Sequence, residues 1–346
     1  MRVMIAGHAG YIGPVAARLF ADAGHEVIGL DIGYFSECAA PDAPPLPLAR
    51  EIRCDLREVT PAHLEGVDAV VHLAALSNDP LGKINPRLTH EINFEGGLKL
   101  ARAARDAGVS RFVFASSCSI YGAAGDAGAL DESAPFNPVS AYALSKVQME
   151  AALQALADTR FSPVYLRNAT AFGVSPRMRL DLVLNNLVAW ARTTGVVKVL
   201  SDGTPWRPIV HIEDISRAAL AAVEAPREAV HDQAFNIGRA DCNYQVREIA
   251  QAVAEAVPEA RVEITGESGG DPRSYRVSFD KALTRLPGFA PVWDLKAGVR
   301  ELVAWIDGAA APRDSEDAES RRFIRLKQLR HLMDAGVVDG SLRLIA

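Results

Sequence analysis

The chain has 346 residues, 49% of them apolar and 23% charged, and carries a net charge of −6 at neutral pH. That balance describes a folded globular protein and excludes a disordered one, and the acidic charge argues against nucleic acid or an anionic membrane surface as a partner. Cys38, Cys54, Cys118 and Cys242 form no Cys-x-x-Cys pair, so they read as reduced thiols of a cytoplasmic protein and not as a disulfide or zinc framework. No apolar run reaches the length of a membrane span. The N-terminus enters Val3-Met4-Ile5-Ala6 directly, which reads as a first strand and not as a signal peptide.

Arg2–Ala6, Glu26–Asp31, Ala69–Ala74 and Phe112–Ser116 are short apolar runs closed by Gly, Asp or Ser. Pro14–Ala23, Pro61–Leu64 and Glu91–Ala107 lie between them as helical segments, so the alternation predicts a parallel sheet covered on both faces. Pro14 stands where a helix begins, and Gly24 and Gly108 stand where helices end. The Pro- and Ala-rich stretch Pro41–Leu48 is predicted to be a surface loop. Beyond Phe161 the pattern predicts strands at Val164–Arg167, Ala234–Gly238 and Arg261–Thr265. Helices are predicted at Leu180–Thr193 and Tyr244–Ala256, and Ile209–Val223 reads as a strand running into a helix. A smaller region interleaves with the last strands of the first. From about Ala309 the chain is acidic, then becomes a basic helix with Phe323, Leu326, Leu329, Leu332 and Met333 on one face. That pattern suits a docking or subunit-contact helix. There are no internal repeats.

Gly7, Gly10 and Gly13 follow the first strand and open a helix. Glycine lets backbone approach a diphosphate, and the helix N-terminus offers unpaired N–H groups and positive dipole. His8 stands where many dehydrogenases carry their middle glycine. The next strand ends on Asp31, at the distance where a carboxylate meets the adenosine ribose and repels a 2′-phosphate. The pair of motifs points to NAD. Farther on, Tyr142 and Lys146 share one face of a predicted helix. A phenol with an ordinary pKa of about 10 is a poor base at neutral pH, and a neighbouring ammonium favours its phenolate. Such a tyrosine takes a proton from a hydroxyl while hydride leaves the same carbon. The strand around Phe112–Ser116 runs out into Ser117-Cys118-Ser119, where a serine at the end of a parallel strand faces the ligand crevice.

Together these residues resemble the extended short-chain dehydrogenase/reductases, in the NAD-dependent epimerase/dehydratase branch. The matching stretches are Gly7–Gly13, Asp31, Cys54-Asp55-Leu56, Val71–Ala75, Asn93, Phe114–Gly122, Tyr142 with Lys146, Leu166-Arg167, Asn185–Leu187 and Arg207–Asp214, within roughly residues 1–300. The resemblance implies an α/β fold: a modified Rossmann doubly wound parallel sheet with a smaller α/β C-terminal substrate domain. Residues 1–170 with about 208–240 would form the NAD-binding domain. About 171–207 with 241–308 would form the substrate domain, and 309–346 a helical tail. A nucleotide-diphosphate sugar is the implied substrate. A homodimer built on paired helices, the Tyr142 helix among them, is the implied assembly.

Carried over by position, Ser117, Tyr142 and Lys146 are the catalytic set. Gly7, Gly10, Tyr11, Ile12, Gly13, Asp31, Asp55, Leu56, Leu73, Ala74, Ala75, Asn93 and Asn168 join Tyr142 and Lys146 around the cofactor. Ser77, Cys118, Thr170, Asn186, Arg207 and Arg273 join Ser117 and Tyr142 on the substrate side. The dehydratases of the family place Asp-Glu directly after the catalytic hydroxyl. Here Cys118 and Ser119 stand there, which argues against dehydration. Cys118 is one residue away from the cysteine acid of other members, which favours packing. Thr170 replaces the family's asparagine; with Trp206 and the stretch Pro176–Arg179 it is expected to set the identity of the sugar. His72 reads as structural, and His211, Glu213 and Asp214 read as a helix start and not as metal ligands.

The resulting expectation is an NAD-dependent nucleotide-sugar epimerase acting at C4. A one-way dehydrogenase or ketoreductase of the same family is the alternative among enzymes, and an NAD-binding redox-sensing regulator is the alternative outside them.

Overall fold

The computed structural model describes residues 1–40, 43–77, 85–123, 128–266, 273–308 and 310–345. The start of the loop expected at Pro41, the Asp271-Pro272 pair and Ala309 lie outside the described residues. Among the described residues no helix is long and apolar enough to cross a membrane.

The main sheet has seven parallel strands. They are β1 (Arg2–Ala6), β2 (Glu26–Asp31), β3 (Arg50–Arg53), β4 (Ala69–His72), β5 (Arg111–Ser117), β6 (Ser162–Asn168) and β10 (Gln233–Ile237), ordered β10-β6-β5-β4-β1-β2-β3. The order reverses between β1 and β4, so the crevice at their carboxyl ends is the place where such sheets bind ligands. Helices α1 (Gly13–Asp22) and α5 (Ile212–Glu224) cover one face, through Ala16, Ala17, Phe20, Ile215, Ala218 and Ala219. Helices α2 (Gly97–Asp106) and α3 (Ala141–Leu156) cover the other, through Leu100, Ala101, Met149 and Leu153. Full burial of each large side chain contributes about 1.5–3 kcal/mol. Gly24 and Gly108 end their helices with φ of 85° and 83°, in the positions the sequence assigned them. A π-helical turn, Glu91–Gly96, leads into α2.

The rest of the chain forms a second cluster. Strands β7 (Thr170–Phe172), β9 (Trp206–His211) and β11 (Asn243–Gln245) make a small sheet. Strands β8 (Val196–Val199) and β12 (Arg261–Ile264) pair in parallel. Helices α4 (Val183–Thr194), α6 (Val246–Ala256) and α7 (Leu295–Ile306) pack around Leu184, Leu187, Ile249, Val253, Val299 and Leu302.

Helix α8 (Arg325–Asp334) bears out the docking half of the tail expectation. It packs Leu329 and Leu332 onto Tyr34, Leu76, Leu88 and Ile92 of the same chain, with Leu326 and Met333 at the margin. Phe323 departs from that face and packs in the second cluster, beside Trp305.

Candidate active site

One cavity of about 720 Å³ opens at the carboxyl ends of β1, β4 and β5. Its glycine-loop wall depends on close backbone approach. Gly7 has φ of +93°, and a Cβ there would lie 2.6 Å from the Ala74 nitrogen, so only glycine lets β1 and the Leu73–Ala75 segment meet. His8 is buried, with its Nε2 2.8 Å from Glu51 Oε1. Its ring lies where the side chain of residue 29 would be: a Cβ on Gly29 would sit 2.7 Å from the imidazole. The histidine that departs from the usual glycine pattern is therefore accommodated by a glycine on the neighbouring strand.

Asp31 lies on this wall. Its Oδ2 accepts from the Ala9 N–H at 3.2 Å and its Oδ1 from the Gly33 N–H at 2.7 Å. Each oxygen keeps acceptor capacity toward the cavity. Asp55 also reaches the cavity, but its carboxylate is taken up by Arg57, with Arg57 Nη2 to Asp55 Oδ2 at 2.6 Å. Gly10, Tyr11, Ile12, Gly13, Leu56, Leu73, Ala74, Ala75 and Asn168 complete the expected cofactor residues on the lining.

The residues expected to be catalytic converge on the same cavity. Ser117 ends β5 and lines it, accepting at 3.1 Å from the Ser119 N–H. Ser140 caps α3 by accepting from the Ala143 N–H at 3.2 Å, which points the first turn, with Tyr142, at the crevice. Lys146 follows one turn later, its ammonium 5.4 Å from the Tyr142 ring centre and 2.6 Å from the Ala115 carbonyl. Burial pushes its pKa down to about 7, opposed by Glu150. A lysine poised there changes charge within the ordinary pH range, as groups in reactive clefts often do. Below it His72 packs against Phe112 and Phe114 with no hydrogen-bond partner on either ring nitrogen among the described residues, and burial holds its pKa near 3. The structural reading of His72 stands.

Three expected residues do not reach the cavity wall. Asn93 is buried behind it, where its Oδ1 accepts from the Leu76 N–H at 2.7 Å and its Nδ2 donates to the Leu76 carbonyl at 3.1 Å. It shapes the Leu73–Ser77 segment from the rear. Cys118 is fully buried, with Sγ directed at the Arg167 carbonyl 3.0 Å away. Burial pushes its thiol well up, and it packs away from the cavity, out of reach of a bound sugar. Asn186 donates to the Leu180 carbonyl at 2.9 Å and holds the entry to α4. On the substrate side Ser77, Thr170, Arg207 and Arg273 do line the cavity, and Arg207 donates to the Arg273 carbonyl.

Other residues matter more than their sequence context suggested. Ser119 lines the cavity, and its buried hydroxyl has no hydrogen-bond partner among the described residues. The two-residue spacing from Ser117 was the available signal. Ser116 is tied up instead, 2.5 Å from Glu150, which also pairs with Arg167 at 2.8 Å. Asn185, not Asn186, ties the wall together: its Nδ2 donates to the Tyr11 hydroxyl and to the Arg179 carbonyl, both at 2.9 Å. His211 caps α5 and stacks on Trp293 at 4.0 Å, with Nε2 2.9 Å from Glu301. Asp214 accepts from the Val292 and Trp293 N–H groups. His211 thus caps the helix start, and Asp214 in its first turn anchors the Val292-Trp293 segment. Trp206 stands outside the lining and meets the Arg276 guanidinium at 5.1 Å.

Comparison with known proteins agrees with this geometry. The model of the NAD dependent epimerase/dehydratase family matches residues 3–238. The UDP-glucose 4-epimerase of Corynebacterium glutamicum is 29% identical over 337 residues, covering 93% of this chain and all of that protein. The UDP-glucose 4-epimerase of Mycolicibacterium smegmatis is 30% identical over 318 residues, covering 88% of this chain and 97% of its own. Among solved structures, MoeE5 in complex with UDP-glucose and NAD superposes with a TM-score of 0.76 at 27% identity, covering 89% of this chain and 99% of that one. The Thermus thermophilus UDP-glucose 4-epimerase in complex with NAD gives 0.74 at 26% identity, covering 89% of this chain and all of that one. With the family model spanning more than half of its length, the chain belongs to the NAD-dependent epimerase/dehydratase family.

Proposed function

We propose that this protein is an NAD-dependent nucleotide-sugar epimerase acting at C4. The observation that carries the reading is the meeting of Ser117, Tyr142 and Lys146 on one cavity with no carboxylate directly after Ser117. Among the described residues, the acids on the lining are Asp31 and Asp55, near the glycine loop, and Asp181, which pairs with Arg179 at 2.8 Å. A site arranged this way suits reversible oxidation of an alcohol and lacks the acid and base that expel water.

Tyr142, as phenolate, takes the proton of the sugar hydroxyl, and Ser117 hydrogen-bonds the same oxygen. Lys146 in its ammonium form favours the phenolate. Held by the glycine loop and Asp31, NAD would supply a reversible hydride acceptor for the sugar carbon. The keto sugar would turn over in the cavity so that hydride could return to its other face, while Tyr142 returns the proton. Proton and hydride both come back, so no net oxidation occurs. Arg207 and Arg273 would hold the sugar nucleotide's diphosphate, for which guanidinium is suited.

In this reading residues 1–170 with about 208–240 form the cofactor domain, and about 171–207 with 241–308 form the substrate domain. The protein would work in the cytoplasm as a homodimer through the Tyr142 helix, on which Leu144 is exposed. Incubation with a panel of nucleotide sugars, without added reductant, tests the activity. Interconversion of C4 epimers with no change in NAD is the expected result; loss of water or stoichiometric NADH would sink it. Light scattering reads the dimer separately.

A further inference from the structure

Two arginines on the cavity wall take no part in the proton and hydride transfer. Arg179 is 7% exposed and Arg325 is 3% exposed, and both line the cavity. Arg179 pairs with Asp181 and donates to Ser77 Oγ at 2.8 Å. Arg325, the first residue of α8, forms no ion pair among the described residues. It donates to the Arg177 carbonyl at 2.7 Å and sits 4.7 Å above the Phe35 ring. Burial and the nearby charge of Arg179 together lower its pKa to about 10, opposed by Cys38 and Asp181. Two buried guanidiniums that repel each other, with one carboxylate paired to one of them, make a costly arrangement in the protein alone. An anion entering the cavity would relieve it.

The surroundings place this pair on the cofactor half. Asn185 holds the Arg179 carbonyl and the hydroxyl of Tyr11, a glycine-loop residue. Ser175 donates to the Tyr11 carbonyl at 2.6 Å. Phe35, beneath Arg325, lies four residues after Asp31. The tail is fastened to this wall, with the Leu180 N–H donating to the Phe323 carbonyl at 3.1 Å. Arg207 and Arg273 lie together elsewhere on the lining, so the cavity holds two separate pairs of cations.

We propose that Arg179 and Arg325 form a guanidinium clamp for the cofactor's diphosphate, which the glycine loop grips at the helix α1 N-terminus. The ligand class is a dinucleotide diphosphate, and the C-terminal tail becomes part of the cofactor site. The inference rests on NAD being the cofactor of this family member.

The test is equilibrium binding to the full-length, ligand-stripped protein. The probes are ADP-ribose, which carries the diphosphate, adenosine, which lacks it, and UDP, which reports the other cation pair. Arg325→Gln is expected to weaken ADP-ribose about ten- to a hundred-fold, the range of a charge-assisted hydrogen bond. Adenosine and UDP affinities and the melting temperature without ligand should stay as in wild type. Equal weakening of adenosine and ADP-ribose would mark Arg325 as a packing residue and overturn the clamp. Weakening of UDP alone would move the pair to the substrate and overturn it as well. Should Arg325→Gln not fold, Arg179→Gln carries the same comparison, and an unchanged ratio of ADP-ribose to adenosine affinity ends the proposal. Wild-type protein that binds no NAD would defeat the family cofactor instead.

Discussion

The cavity has two ends built from different kinds of chain. The reactive end rests on the carboxyl terminus of β5 and the first turns of α3, both fixed by a packed core. The end beside Asp31 is closed by the loop after β2 and the tail, held by the apolar cluster around Leu329 and Leu332 and by side chains that bond backbone carbonyls. The Tyr34 hydroxyl donates to the Leu342 carbonyl, Arg57 Nη1 to the Ser341 carbonyl at 2.8 Å, and Gln328 Nε2 to the Tyr34 carbonyl at 3.1 Å. Chemistry needs atoms placed to within a fraction of an ångström, so it is set on strands and helices. Retention of a ligand needs only closure, which a tied loop and tail can supply.

The largest effect should come from breaking the reactive end alone. Tyr142→Phe is expected to lower turnover about 100- to 10,000-fold while leaving bound NAD unchanged, measured by epimer formation and by nucleotide released on denaturation. A variant that lost its NAD as well would show that the two ends are not separable. Next comes the shared floor of the glycine loop. Gly29→Ala should cost about 1–3 kcal/mol through overlap with His8. His8→Gly in the same chain should restore most of that, and thermal melts of the two single variants and the double variant measure the coupling.

A smaller effect belongs to His72, beneath the reactive end. Its folded pKa near 3 lies below the ordinary value of 6.5. The unfolded chain therefore takes up a proton that the folded one refuses, and the stability present above about pH 6.5 falls as pH falls toward 3. The slope is at most about 1.4 kcal/mol per pH unit. His72→Leu should flatten it when melting temperatures at pH 5 and pH 7.5 are compared. The smallest effect concerns the other end. Tyr34→Phe removes one hydrogen bond to the tail and should speed NAD release about five-fold, with turnover of the loaded protein unchanged.

The two ends also differ in how far the sequence disclosed them. Gly7, Asp31, Ser117, Tyr142 and Lys146 stand beside strands or on a helix whose apolar period is plain, so their convergence could be read before the fold was seen. Asn93 sits one residue and Asn186 three residues from the lining, yet their amides turn to backbone groups; motif position does not report side-chain direction. Strand β3, Arg50-Glu51-Ile52-Arg53, escaped because it is a largely exposed edge with one apolar residue and no run to detect. Arg325 escaped for a different reason. Its helix period predicted docking, but which surface it docks on depends on contacts with residues 148 to 294 positions away, such as Arg177 and Tyr34.

The position of that helix has a consequence for biosynthesis. The main sheet is complete once Ile237 has been made, whereas α8 emerges from the ribosome about ninety residues later. At about 5–20 residues per second, that interval lasts roughly 4–18 seconds. The nascent Rossmann half thus has time to fold, and to admit a dinucleotide through a doorway still open, before translation delivers the segment that shuts it.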